Sequence, residues 1–169
     1  LLQVAKTYRE RRGEIEEAAG RLTEALAAPA FGATAPEGEP SYGLVEQAVD
    51  ELRQAFDEKW GGFGSAPKFP GAVTIELLLR HHQRAGDSRA LEMATVTLDR
   101  MAQGGMYDQL GGGFHRYSVD EQWLVPHFEK MLYDNALLAA AYLQAYQVTS
   151  DDEYARVARE TLDYVLRDM

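Results

Sequence analysis

Residues Gly104 to Asn135 read GGMYDQLGGGFHRYSVDEQWLVPHFEKMLYDN. This stretch holds five of the fifteen glycines, two of the four histidines and one of the two tryptophans. It is non-periodic until its last residues, where a helical pattern begins. Polar, aromatic and flexible residues gathered between regular elements mark a binding or catalytic loop carried on a scaffold. Within it, the alternation from Phe114 to Ser118 and the β-prone Trp123 to Val125 predict one small β-hairpin near 113–125, turning at Asp120.

The segments on both sides are helical by spacing, which makes the body all-α. Downstream, Pro126 suits the first turn of a fifth helix with an apolar face of Phe128, Met131, Leu132, Leu138, Ala139, Tyr142 and Tyr146. Ser150 and Glu153 form a capping-box pattern that opens a sixth helix through Tyr154, Val157, Ala158, Leu162 and Val165. Upstream, a fourth helix with Leu91, Ala94, Leu98 and Met101 stops at Gly104-Gly105, after a turn at Gly86-Asp87-Ser88. A third, Gly71 to Ala85, carries Ile75, Leu78, Leu79 and His82. A second, capped by Ser41, carries Leu44, Val45, Ala48, Leu52, Ala55 and Phe56 and breaks at a second glycine-aromatic loop, Trp60 to Pro70.

Residues 1–28 read as one amphipathic connecting helix, with Val4, Tyr8, Ile15, Ala18, Ala19, Leu22 and Leu26 spaced by three, four and seven. Its five basic residues (Lys6, Arg9, Arg11, Arg12, Arg21) balance five acidic ones (Glu10, Glu14, Glu16, Glu17, Glu24). Residues 29–40, rich in Ala, Gly, Pro and Glu, read as a linker. A shift of 64 places Asp87, Met93, Ala94, Thr97, Leu98, Asp99 and Met101 on Asp151, Val157, Ala158, Thr161, Leu162, Asp163 and Val165. Two alike helical hairpins imply an array of antiparallel hairpins over 41–169, and such arrays usually need three or more units. The chain lacks an initial Met and ends inside a helical pattern, so we expect it to be part of a longer protein.

The 169 residues are 46% hydrophobic and 26% charged, enough for a globular core. A net charge of −10 disfavours nucleic acid and anionic membrane as partners, because phosphate affinity rests on Lys and Arg. The absence of cysteine removes disulfides, thiolate nucleophiles and cysteine metal sites. No apolar run approaches the roughly 18 residues of a membrane span, and no signal-peptide pattern opens the chain, so it reads as soluble and cytoplasmic.

On a helix from Pro126, His127, Lys130 and Asp134 share one polar stripe within about 60°, and Glu129 points away. A histidine and a carboxylate at the edge of a buried surface are the materials of acid-base chemistry. The plain alternative is a solvated Lys130–Asp134 pair beside a structural histidine. Tyr107, Asp108, His115 and Arg116 lie in the loop entering the same helix, where folding back would bring them over His127. Two histidines across one pocket can remove and return a proton on opposite faces of a carbon, with Arg116 anchoring an anion or hydroxyl. Trp60, Phe63, Phe114 and Trp123 have the faces to stack on a sugar ring, although plugging the base of a helical array is the simpler use of them. No nucleophile elbow is present, the Gly61–Lys68 loop lacks the Gly-Lys-Ser/Thr ending of a phosphate loop, and His115, His127 and Glu129 lack metal-ligand spacing. No cofactor and no metal are expected.

Three motifs, Gly61 to Pro70, Gly111 to Asp120 and Val125 to Asn135, closely resemble the thioredoxin-domain-containing family of the spermatogenesis-associated type. The resemblance runs from the first helix to the last residue. It implies an N-terminal thioredoxin-like domain absent from this chain, followed by a six-hairpin (α/α) toroid similar to N-acylglucosamine 2-epimerases and six-hairpin glycosidases, with residues 41–169 as its opening part. It also implies a carbohydrate-active or sugar-binding pocket. His127 and His115 would exchange protons there, Asp134 would orient His127, Arg116 would anchor substrate, and Tyr107, Asp108, Glu129, Lys130 and Trp60 would line the pocket. In a hydrolase-like variant Asp108, Glu129 or Asp134 supplies one carboxylate of the pair. The competing expectation is a non-catalytic module that presents a client or redox partner to the thioredoxin-like domain.

Overall fold

The computed structural model describes residues 2–27 and 41–169. The chain divides into two units, Leu1–Pro40 and Ser41–Met169. The expected linker falls outside the described residues. In the first unit the single expected helix is two, α1 (Leu2–Glu10) and α2 (Arg12–Ala27), parted at Arg11. The helical hydrogen bonds nonetheless run through the break, from Arg11 N to Thr7 O at 2.9 Å and from Ile15 N to Arg11 O at 3.1 Å. Ion pairs one turn apart, Lys6–Glu10, Arg12–Glu16 and Glu17–Arg21, support the exposed surface.

The second unit is all-α: α3 (Gly43–Ala55), α4 (Ala72–Ala85), α5 (Ser88–Gln103), α6 (Leu132–Thr149) and α7 (Asp152–Asp168). Helices α4 and α5 form one hairpin, α6 and α7 another, and α4 packs on α6. The core between them is Ile75, Leu78, Leu79, Met93, Leu98, Met101, Leu138 and Tyr142, all buried. Each such side chain stabilises the fold by about 1.5–3 kcal/mol relative to exposure. Tyr142 donates its hydroxyl to Leu98 O at 2.7 Å, which removes the cost of burying it.

The hairpins repeat as the shift of 64 implies. Asp87 caps α5 through Arg89 N and Ala90 N, and Asp151 caps α7 through Glu153 N. Buried Thr97 and Thr161 each donate to the carbonyl one turn back, Met93 O at 2.7 Å and Val157 O at 2.8 Å. The equivalence ends where neighbours differ: Leu98 is in the core, whereas its counterpart Leu162 is 49% exposed.

Three helix starts differ from expectation. Ser150 is not the cap of α7. It closes α6 in a left-handed conformation (φ 61°), and Asp151 takes the cap. Tyr42 rather than Ser41 occupies the cap position of α3, and no side-chain cap bond forms there. The fifth helix begins at Leu132 instead of Pro126. Residues 126–131 are extended because their backbone is already engaged: Pro126 bridges Ser118, His127 N donates to Tyr117 O, and Glu129 O accepts from Arg116 N. Pairing with another segment has overridden local helix propensity.

The expected hairpin is present as isolated antiparallel bridges. Val119 N donates to Val125 O at 2.8 Å, and the Asp120 carboxylate caps the turn by accepting from the amides of Gln122, Leu124 and Val125. The register slips by one residue between the His127–Tyr117 and Glu129–Arg116 bonds, a bulge at Phe128. A third extended segment joins on the other side, where Lys68 and Ser118 exchange backbone hydrogen bonds at 2.9 and 2.8 Å.

Candidate functional site

The sequence candidates fall into four groups. The first is a clamp. Lys130 Nζ donates to Asp108 Oδ2 at 2.7 Å and to Gly112 O at 2.8 Å, and lies 4.1 Å from the centre of the Tyr164 ring. Asp108 Oδ1 meanwhile accepts from the amides of Leu110 and Gly111. The bond to Lys130, followed by those amides, holds the Asp108 carboxyl far below the usual range. Tyr107 is buried here and donates its hydroxyl to Glu160, which also pairs with Arg156.

The same clamp occurs a second time. Fifty-one positions earlier, Phe56-Asp57-Glu58-Lys59-Trp60-Gly61-Gly62-Phe63 stands where Tyr107-Asp108-Gln109-Leu110-Gly111-Gly112-Gly113-Phe114 stands later. Lys68 Nζ donates to Asp57 Oδ2 at 2.5 Å and to Gly61 O at 2.8 Å. Asp57 Oδ1 accepts from Lys59 N and Trp60 N, and the bridges Phe56–Phe63 and Tyr107–Phe114 close both loops. Gly61, Gly62, Gly112 and Gly113 have φ of 70°, 80°, 75° and 78°, which glycine adopts at no steric cost. A Cβ on Gly62 would stand 2.5 Å from Trp123, and one on Gly113 2.4 Å from Tyr164. The glycines are therefore required by close packing as well as by the turn.

The second group is a stack of rings from three segments: exposed Phe69 lies 4.9 Å from Tyr117, and Tyr117 lies 4.6 Å from exposed His127 at an interplanar angle of 23°. Phe69 and Tyr117 were not among the candidates. They are far apart in sequence, and only the Lys68–Ser118–Pro126 bridging aligns them.

In the third group Arg116 pairs with Glu129, and the Asp134 carboxyl in the first turn of α6 stands beside them. Burial pushes the Asp134 carboxyl up, and Arg116 partly offsets this. His115 packs edge-on against Phe128 at 6.1 Å, with its Nδ1 buried and without a partner. Among the described residues no hydrogen bond, ion pair or ring contact joins His115 to His127, or Asp134 to His127. Trp60, the fourth group, is apart from these: it lies between Lys59 and Arg100 and accepts at its carbonyl from Trp123 Nε1 at 3.0 Å. His81 and His82 belong to the framework, His81 between Tyr42 and Asp87, and His82 on the Asp87 carbonyl. The apolar groove of about 340 Å³ between α6 and α7 involves none of His115, Arg116, His127 and Asp134.

Burial, then the positive charge of Lys130, pulls the His115 pKa below its ordinary value, with Asp108 opposing. Around pH 6 the unfolded chain then binds more protons at this site than the folded one, so stability falls as pH drops through the ordinary histidine value towards the lowered one. His115→Phe is expected to flatten the stability profile between about pH 7 and pH 5. Urea melts across that range check it, and an unchanged slope would contradict the assignment.

These hairpins, with their loops at one end, make Ser41–Met169 part of an (α/α) toroid. A crystal structure of a sugar epimerase from a ruminal bacterium matches with a TM-score of 0.67 at 15% identity, over 75% of this chain and 37% of that one. The cellobiose 2-epimerase from Bacillus thermoamylovorans B4167 matches at 0.62 with 16% identity, over 75% and 38%. Likeness at such identities defines the fold alone. By sequence, the chain is homologous to a segment of spermatogenesis-associated protein 20. Identity to the Homo sapiens protein is 42% over 175 residues, and to that of Mus musculus 40% over 173. The chain spans 22% of the length of these relatives. No protein-family model matches it. Among the described residues no helix is long and apolar enough to cross a membrane.

Proposed function

We propose that the loop end of these hairpins is the carbohydrate-contacting face of a larger toroid, working by histidine and carboxylate acid-base chemistry. The observation that carries this reading is one hydrogen-bonded ribbon, Arg116–Glu129 paired through His127 and Tyr117, that gathers two histidines, an Arg–Glu pair and the adjacent Asp134. In an epimerase-like step, one histidine takes the proton from the carbon beside a sugar carbonyl, leaving an enolate. The protonated partner histidine returns a proton to the other face. His115, partly buried against Phe128, suits the accepting role, and Asp134, in the first turn of α6 beside Arg116, suits contact with the substrate oxygens. Arg116 and Glu129 would bind hydroxyls, and Tyr107, Asp108 and Lys130 would hold the loop beneath them.

The test is a thermal-shift and turnover screen of hexoses, sugar phosphates and disaccharides on the full-length protein that contains this chain, repeated with His127→Ala. Sugars that raise the melting temperature of the parent protein are expected to lose at least half of that shift in the variant. Equal stabilisation of both would remove His127 from the site.

A second reading takes the same face as a protein-docking surface, for a client or redox partner of a thioredoxin-like domain. It is favoured by the exposed apolar side chains Val119, Leu124, Val125 and Phe128 on the hairpin. A screen with no response to any sugar would support it over the first.

A further inference from the structure

The two clamped loops offer a comparison within one molecule. Each has an aspartate that caps its own turn, two glycines at positive φ, an aromatic bridge and a lysine, buried in the first loop and partly buried in the second, returning to the aspartate and to a glycine carbonyl. In the first loop the lysine follows its aspartate by eleven residues, and in the second by twenty-two. The second loop is therefore the first with eleven residues added between Phe114 and Lys130.

The first loop closes its clamp without any such addition. Asp108 and Lys130 thus have a complete explanation in loop architecture, because Asp57 and Lys68 make the same contacts, and the Tyr107–Phe114 bridge repeats Phe56–Phe63, with the Tyr107 hydroxyl on Glu160 as the one addition. What has no counterpart is the hairpin itself. Its inner side is anchored: Trp123 is buried in the core with its Nε1 on Trp60 O, and Ser118 is buried and paired to the backbone of Lys68. Its outer side presents His127 and Tyr117, and Phe69 from the first loop completes the row. Insertions into one unit of a repeat array lie on a single face, which is often the binding face.

We infer that this inserted hairpin is the ligand-contacting element, with Phe69, Tyr117 and His127 as a stacking face for a pyranose ring and with Asp108 and Lys130 as framework. The inference rests on the carbohydrate reading above and narrows it. A pyranose has an apolar C–H face and a rim of hydroxyls. The row supplies ring faces of the first kind, and the Arg116–Glu129 pair, about half exposed, supplies donors and acceptors for the second. Two anchors beneath the hairpin keep the rings in place before a ligand arrives, which lowers the ordering cost of binding.

Carbethoxylation of histidines by diethyl pyrocarbonate, read by mass spectrometry on the full-length protein, tests the assignment with D-glucose, D-mannose and cellobiose as probes and calorimetry as the independent measure of binding. A sugar that binds is expected to protect His127 and leave buried His81 unchanged. Tyr117→Ala and Phe69→Ala are each expected to weaken it about five- to tenfold, while Leu110→Ala, at an exposed position in the clamped turn, leaves affinity within about twofold. A sugar that binds by calorimetry without protecting His127, or with affinity indifferent to Tyr117→Ala, overturns the hairpin as the site and leaves the carbohydrate reading standing. Absence of binding by all three probes, in a protein whose melting is unchanged, counts against that reading and this inference together.

Discussion

Asp57→Ala is expected to destabilise the helical unit by about 3–5 kcal/mol, more than Lys68→Met, although the two residues form one ion pair. The asymmetry follows from where each charge lies. The Lys68 side chain is 1% exposed, whereas that of Asp57 is 20% exposed. Removing the carboxylate leaves a buried ammonium with Gly61 O as its remaining hydrogen-bond acceptor and the Trp123 ring 5.7 Å away, and also takes an acceptor from the amides of Lys59 and Trp60. Removing the lysine leaves a carboxylate that keeps both amides and reaches water, and methionine fills the space of the stem, so the loss is about 1.5–3 kcal/mol. Burial alone would raise the Asp57 carboxyl, but Lys68 and the two amides outweigh it and leave it low. The pair's contribution is therefore complete above the ordinary aspartate range and is lost as pH falls through the lowered value. Urea denaturation of both variants at pH 7 and pH 4 measures the difference. Equal losses would show that the buried lysine is not the governing charge.

Trp123→Ala is expected to cost about 3–5 kcal/mol and to free the hairpin from the body. Trp123 is fully buried, sits at φ 63° and packs its ring where a Cβ on Gly62 would collide. Its indole N–H is the partner of Trp60 O, so truncation opens a large cavity and leaves a carbonyl unpaired. Trp123→Phe should recover part of the apolar burial and none of that hydrogen bond. Chemical denaturation gives the two losses, and limited proteolysis between Val119 and Val125 reports whether the hairpin has come loose. A Phe variant as unstable as the Ala variant would show that the hydrogen bond, not the volume, holds the ring.

Much of the helical body is legible from spacing alone, because α3, α4, α5 and α7 carry apolar residues that recur at three and four, whereas α6 is apolar nearly all round and leaves Leu132, Leu137 and Leu143 exposed. The caps were less so: Asp151 and Ser150 are both good cap residues, and only the left-handed turn at Ser150 decides between them. The start of α6 is not legible locally, because Pro126 to Lys130 look helical in isolation and the strand pairing that holds them extended comes from residues eight positions or more away. The polar stripe of His127, Lys130 and Asp134 dissolves with that helix. The duplicated clamp was present in the sequence as Asp-x3-Gly-Gly-Phe, yet the helices repeat at a shift of 64 and these loops at 51, so no single shift reveals both. The row of Phe69, Tyr117 and His127 had no local signal, since each ring comes from a different extended segment.

The clamped turn also bears on how such a chain diversifies. Phe114 and Lys130 behave as the fixed ends of a cassette, since the same closure forms with the lysine five residues after Phe63 and sixteen after Phe114. Length and chemistry can then be exchanged at the rim while the helices beneath keep their packing, without first solving the folding problem again.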